Sequence, residues 1–202
     1  MARRRRPRAV EGLALWPGAG SSSDHPSLVA LEDALAPLPV ARFDFPYRRE
    51  GRKAPDRAPK LMASVREDVA LLCDRLGTTS DHLVLGGRSM GGRICSMVAA
   101  GDDDLPPLPV AGLVLVSYPL HPPGRPERLR TAHLHRLRVP VLLVSGDRDT
   151  FGTPEELADA QALIPGPVTS VTVPGKGHDL KAADAAILDA VRDWLGSATR
   201  RG

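Results

Sequence analysis

A chain of 202 residues, 42% hydrophobic and 25% charged, has the length and composition of one globular domain with a sizeable core. It contains no apolar run of about 18 residues or more, which excludes a membrane-spanning helix, and aromatics at 3% leave no stacking platform for single-stranded nucleic acid. The formal charge is +3, and 23 of the 27 basic residues are arginine, a bias that reads as coding composition more than as a binding device.

The chain opens on a basic stretch that includes Arg3-Arg4-Arg5-Arg6. It reads as a solvated tail over residues 1–9, with no nucleic-acid partner expected and no hydrophobic signal region after it. Arg200-Arg201 reads the same way within a tail over 197–202, and a single domain is expected over 10–196. Cys73 and Cys95 have no metal-ligand spacing and read as thiols of a reducing, cytoplasmic compartment. Gly12 to Trp16 is a short apolar run stopped by Pro17-Gly18-Ala19-Gly20, hence a strand and a turn. Leu28, Leu31, Ala34 and Leu35 recur at helical spacing within Ser27 to Leu38. A second strand is expected over Val40 to Phe45, and a polar loop over Pro46 to Pro59. A helix over Leu61 to Leu76 presents Val65, Val69, Leu72 and Leu76 on one face and stops at Gly77. His82 to Leu85 is the third strand, and Ser89 to Ala100 the helix after it. Ala111 to Ser117 is continuously apolar, as in a strand buried on both faces of a parallel sheet. Tyr118 to Arg138 is a Pro- and Arg-rich connection. Strands over Pro140 to Ser145 and Thr169 to Val173 alternate with helices over Glu155 to Leu163, opened by Pro154, and Lys181 to Leu195. Regular alternation of strand and helix predicts an α/β fold: a three-layer α/β/α sandwich around a mostly parallel sheet of about six strands.

Gly87-Arg88-Ser89-Met90-Gly91 fits G-x-S-x-G, the nucleophile elbow. A turn that tight between strand and helix tolerates no side chains at its flanks and leaves the serine at a helix N-terminus, beside unpaired N–H groups. A serine hydroxyl needs a base to become a nucleophile, and the base needs an orienting acid. Two later strand ends supply both in the order Ser, Asp, His. The fifth strand runs into Gly146-Asp147-Arg148-Asp149, and the sixth into Gly175-Lys176-Gly177-His178. All three loops lie at carboxyl ends of parallel strands, the edge where open α/β sheets bind ligands. His178 is the base; on spacing alone the acid is Asp147 or Asp149. The histidines form no convincing metal set.

With these segments the chain resembles an α/β-hydrolase, and within that superfamily the small capless branch akin to the dienelactone hydrolases. Pro17 to Gly20 with Asp24 to Leu28, Phe43 to Tyr47, Gly86 to Arg93, Tyr118-Pro119-Leu120-His121-Pro122-Pro123-Gly124 and Gly146 to Thr153 are similar to a bacterial group of poorly characterised predicted hydrolases. The resemblance covers about residues 10 to 196. It implies that Asp149, three positions after Gly146, is the acid. It also implies an oxyanion hole made by the N–H of Met90 and that of Ala19 or Gly20, although Pro17 stands where many relatives have a histidine. About twenty residues between the fourth and fifth strands are too few for a large cap, so an open crevice is expected. The activity implied is a cofactor-free serine hydrolase acting on a small ester, thioester or lactone, as a monomer or homodimer. The competing reading is a hydrolase-like scaffold that binds a partner with the triad unused.

Arg88 and Arg93 flank the serine in sequence, and His25, Tyr47, Arg48, Arg49 and His121 fall in loops at the same edge. Two readings stand side by side. These groups form a site for a substrate carboxylate or phosphate, or they hold the loops through Asp24, Asp44 and loop carbonyls. Position just before the elbow serine favours the structural reading for Arg88. His25, Tyr47, Arg48, Arg88 and His121 are the candidate substrate-binding residues.

Overall fold

The computed structural model describes residues 9–200, with side chains through residue 197. The Arg3–Arg6 run and Arg201 lie outside the described residues.

Six strands form one sheet: β1 (Gly12–Trp16), β2 (Val40–Arg42), β3 (Leu83–Arg88), β4 (Gly112–Val116), β5 (Val141–Gly146) and β6 (Val168–Val173). Their spatial order is β2-β1-β3-β4-β5-β6, and every neighbouring pair is parallel. The order reverses at β1, where chain progress toward one edge switches to progress toward the other. The central strands β1, β3, β4 and β5 are buried throughout and mostly apolar because successive side chains point to opposite faces and both faces are covered. On one face, Ala14, Trp16, Leu85, Leu113, Leu115 and Leu143 pack with helices α3 (Ala58–Leu76), α4 (Met90–Ala100) and α5 (Pro154–Ala162). On the other, Leu13, Leu15, Val84, Val114 and Val144 pack with α1 (Pro26–Ala34) and α6 (Asp184–Arg200). The result is the expected three-layer sandwich.

Several boundaries differ from the sequence reading, each for a local reason. Helix α1 stops at Ala34, ahead of Pro37 and Pro39, neither of which donates a backbone N–H. Strand β2 ends at Arg42, and Asp44 turns back to accept from Ser23 N at 2.8 Å and Ser23 Oγ at 3.0 Å. The expected Pro46–Pro59 loop contains one helical turn, α2 (Pro46–Arg49), with proline at its first position. Strand β3 continues through Gly86 and Gly87 to Arg88, still paired with β4. Helix α6 starts at Asp184 rather than Lys181, because Leu180 and Ala182 take positive φ of 45° and 54° in the turn before it. Between β4 and β5 only the turn Leu134–Arg136 is helical, so among the described residues no cap stands over the sheet edge. No helix among the described residues is long and apolar enough to cross a membrane.

Candidate active site

The turn between β3 and α4 places Ser89 at φ 46° and ψ −114°, a conformation that costs a non-glycine residue about 1–3 kcal/mol. The crowding that requires the flanking glycines comes from β1. A Cβ on Gly87 would lie 1.9 Å from the Trp16 carbonyl oxygen, and one on Gly91 would lie 2.2 Å from the same atom. The serine backbone is held from the other side, Ser89 N donating to Val116 O at 2.8 Å. Packing on two neighbouring strands therefore sustains the strain.

Ser89 Oγ lies 2.8 Å from His178 Nε2, and His178 Nδ1 lies 2.8 Å from Asp149 Oδ2 and 3.0 Å from Asp149 Oδ1. An ionised carboxylate only accepts, so Nδ1 carries the ring proton and Nε2 accepts from the serine hydroxyl. Asp149 is 4% exposed, and its Oδ1 also accepts from Phe151 N at 2.8 Å. The Phe151 ring stacks on the imidazole, centroids 3.9 Å apart and planes 24° apart. Asp147, the other acid the spacing allowed, is exposed, with its backbone N–H turned to Val173 O at 3.3 Å. The strand ends meet because Gly146 lets the histidine loop touch the end of β5. A Cβ there would sit 2.0 Å from Lys176 O, and Arg148 N donates to that oxygen at 2.9 Å.

A crevice of about 440 Å³ opens over the serine. The Gly18–Ser21 turn and His25 border it, as do Met90 and Arg93 at the start of α4, Pro119 and Arg130 after β4, and Phe151. Met90 is the first residue of α4, so its N–H is one of those a helix leaves without an internal acceptor. Ala19 lines the crevice. The Gly20 N–H instead faces the Tyr47 hydroxyl and draws its pKa down against the larger upward effect of burial, without closing a regular hydrogen bond.

His25 also borders the crevice, at the N-cap of α1, where its Nδ1 accepts from Ser27 N at 3.3 Å and leaves Nε2 as the protonated nitrogen. Burial, and next the Arg88 charge, lower its pKa, so the ring is neutral. Arg88 is buried and mainly a tether. Its Nη2 donates to Asp179 O at 2.6 Å, in the residue after the histidine, and its Nη1 donates to Ser27 Oγ at 3.2 Å.

The other three candidate substrate contacts stand away from the crevice. Tyr47 is fully buried in the core, carried there by the turn of α2. Arg48 lies beside Tyr47 on the same turn. His121 is buried against Glu156, with Nε2 at 3.2 Å from Oε2, and the Pro122 carbonyl and that carboxylate raise its pKa. Glu156 also accepts from Thr153 N in the capping box of α5, so His121 fastens the segment after β4 to that helix. Arg49 pairs with buried Asp68 at 2.6 Å, and Trp16 Nε1 donates to the same carboxylate at 3.2 Å. Two contributors carried no sequence signal as site residues. Phe151 lies two positions after Asp149, and Arg130 lies in a connection without periodicity.

A family model described as an alpha/beta hydrolase domain matches residues 11–195. Solved structures similar to this one include Est1E from Butyrivibrio proteoclasticus, with TM-score 0.73 at 16% identity over 98% of this chain and 91% of that one. A dienelactone hydrolase from Anabaena variabilis aligns with TM-score 0.70 at 18% identity over 95% and 88% of the two chains. A thermophilic esterase from Thermogutta terrifontis aligns with TM-score 0.67 at 19% identity over 95% and 92%. At these identities the likeness is one of fold. The sheet order, the strained serine and the extent of the family match agree: the chain belongs to the alpha/beta hydrolase domain family.

Proposed function

We propose that the protein is a serine hydrolase of small carboxylic esters, thioesters or lactones. The observation that carries this reading is the continuous line of hydrogen bonds from Ser89 Oγ through His178 to buried Asp149. Ser89 Oγ attacks the carbonyl carbon while His178 Nε2 takes the hydroxyl proton. The carbonyl oxygen becomes an oxyanion held by the N–H groups of Met90 and Ala19, each worth about 3 kcal/mol of barrier. His178 then gives the proton to the leaving oxygen or sulfur, and an acyl-serine forms. A water loses a proton to His178 as it attacks that acyl group, and the proton returns to Ser89 Oγ as the acid departs. Asp149 holds the imidazole in the required tautomer and offsets its transient charge. No step calls for a metal or an organic cofactor.

Turnover of a short-chain aryl ester panel tests this. Wild type is expected to hydrolyse acetyl to butyryl esters. Ser89→Ala and His178→Ala should each lose about a thousandfold or more in kcat. Asp149→Asn should lose on the order of a thousandfold, and Asp147→Asn little. A wild type that turns over no acyl ester would defeat the reading and return the fold to a scaffold role.

A further inference from the structure

The crevice wall beside the serine carries positive charge without a counter-ion. Arg93 and Arg130 both line the crevice, and both also line an adjoining pocket of about 350 Å³ that contains His133. Among the described residues neither guanidinium is in an ion pair. Arg93 Nε is buried with no hydrogen-bond partner. Arg130 spends one donor, Nη1, on Pro119 O at 3.2 Å. The two are close enough to oppose each other: burial, and next the Arg93 charge, lower the pKa of Arg130. The same neighbour adds to the effect of burial on His133, whose pKa falls to about 4, so that ring is neutral and adds no charge of either sign. The carboxylates that line these pockets, Asp179 and Asp102, form no ion pair with either guanidinium among the described residues and accept from backbone N–H groups of their own turns. Asp179 accepts from Lys181 N at 3.2 Å, and Asp102 from Leu105 N at 2.7 Å.

Two part-buried cations with free donors and no counter-ion are costly unless an anion joins them. Arginine offers that anion a planar, bidentate fork. Of the other arginines at this edge, Arg49 is held by Asp68, and Arg88 by Ser27 and the Asp179 carbonyl. We therefore propose that Arg93 and Arg130 form an oxyanion-group subsite next to Ser89, and that the preferred substrate is an ester bearing a second, ionised carboxylate. This rests on the serine hydrolase reading and names its substrate class. Spacing sets the size. Arg93 lies one turn after Ser89 in α4, its N–H donating to Ser89 O at 3.0 Å. That turn spans about 6 Å along the axis, and helical side chains lean back toward the N-terminus. A carboxylate three or four bonds from the reacting carbonyl, as in a succinyl or glutaryl half-ester, falls in this range.

The test compares kcat/KM for an aryl hemiglutarate with that for the same ester capped as its neutral methyl ester. A second pair, 4-carboxyphenyl acetate and phenyl acetate, places the charge on the leaving side. Wild type is expected to prefer the anion by tenfold or more in the glutarate pair, and by much less in the acetate pair, whose carboxylate lies six bonds from the carbonyl. That ratio should fall toward unity in Arg130→Gln and in Arg93→Gln, and Arg130→Lys should keep part of it. Parity in wild type, or a preference that survives both glutamine variants, overturns the proposal. Binding decides it without turnover. By calorimetry, Ser89→Ala protein should bind monomethyl glutarate at least tenfold tighter than dimethyl glutarate. The difference should vanish in Ser89→Ala/Arg130→Gln, whose folding is checked by thermal melt. Equal binding of the two overturns the subsite even if neutral esters are hydrolysed. Unequal binding with no ester turned over keeps the subsite and defeats the hydrolase reading instead.

Discussion

Ser89 and His133 show at the residue scale two different ways in which a residue's surroundings set its state. Ser89 is held at positive φ by the backbone of two strands, and the conformation serves to expose its Oγ to His178. His133 is half-buried as a neutral ring against Ser96 Oγ, with Nε2 at 2.8 Å, and loss of solvation first, then Arg93, brings its pKa to about 4. In the unfolded chain a histidine titrates near 6.5. The native state thus binds fewer protons than the unfolded state between about pH 6.5 and 4. The stability involved is fully present above pH 6.5 and is lost as pH falls toward 4. The span corresponds to about 3 kcal/mol. Urea unfolding at pH 7.5 and pH 5 should show His133→Gln losing less stability on acidification than wild type, by roughly 2 kcal/mol. Equal losses would contradict the role given to His133. The choice between Asp147 and Asp149 also belongs to this scale. Both follow Gly146 within three positions, and composition or spacing does not separate them. Only the direction each side chain takes does so, one into the sheet edge and one into solvent.

Loops that touch decide the site at the scale of elements. The end of β5 and the turn after β6 meet at Gly146, whose missing side chain leaves room for Lys176 O. Gly146→Ala must push the His178 loop outward. Overpacking of this kind costs about 2 kcal/mol, a fall in Tm of roughly 4–8 °C for a domain of this size. Turnover should fall further than the loss of folded protein explains, because the His178–Ser89 distance changes. A thermal melt beside kcat on the same preparation checks both. The strands, the helices and the carboxyl-edge loops were readable in the sequence because apolar runs and glycine positions report burial and turn geometry directly. The wall of the crevice was not. His121, Tyr47 and Arg48 sit in edge loops like His25, yet α2 carries Tyr47 into the core and Glu156 takes His121. Such outcomes depend on long-range partners, and local pattern carries no record of them. Arg130 enters the crevice through a connection whose path is set by the Tyr118 hydroxyl, which donates to Arg130 O at 2.7 Å, a contact between distant turns of one irregular segment.

At the scale of the whole molecule, six parallel strands with helices on both faces leave one edge where loops gather, and among the described residues no cap covers them. The Ser89 turn, the Asp149 loop and the His178 loop follow β3, β5 and β6, so the candidate site assembles only when the sheet does. This makes the geometry at Ser89 a property of the complete fold and gives it a direct chemical readout. A fluorophosphonate reacts with a serine only when its hydroxyl is deprotonated on attack and the phosphoryl oxygen is stabilised. Intact-mass analysis followed by peptide mapping after such treatment should show one adduct, located on Ser89, absent in Ser89→Ala and formed far more slowly in His178→Ala. Wild-type protein that is folded yet gains no adduct at Ser89, or one whose labelling is indifferent to His178, would contradict the assignment of Ser89 as an activated nucleophile.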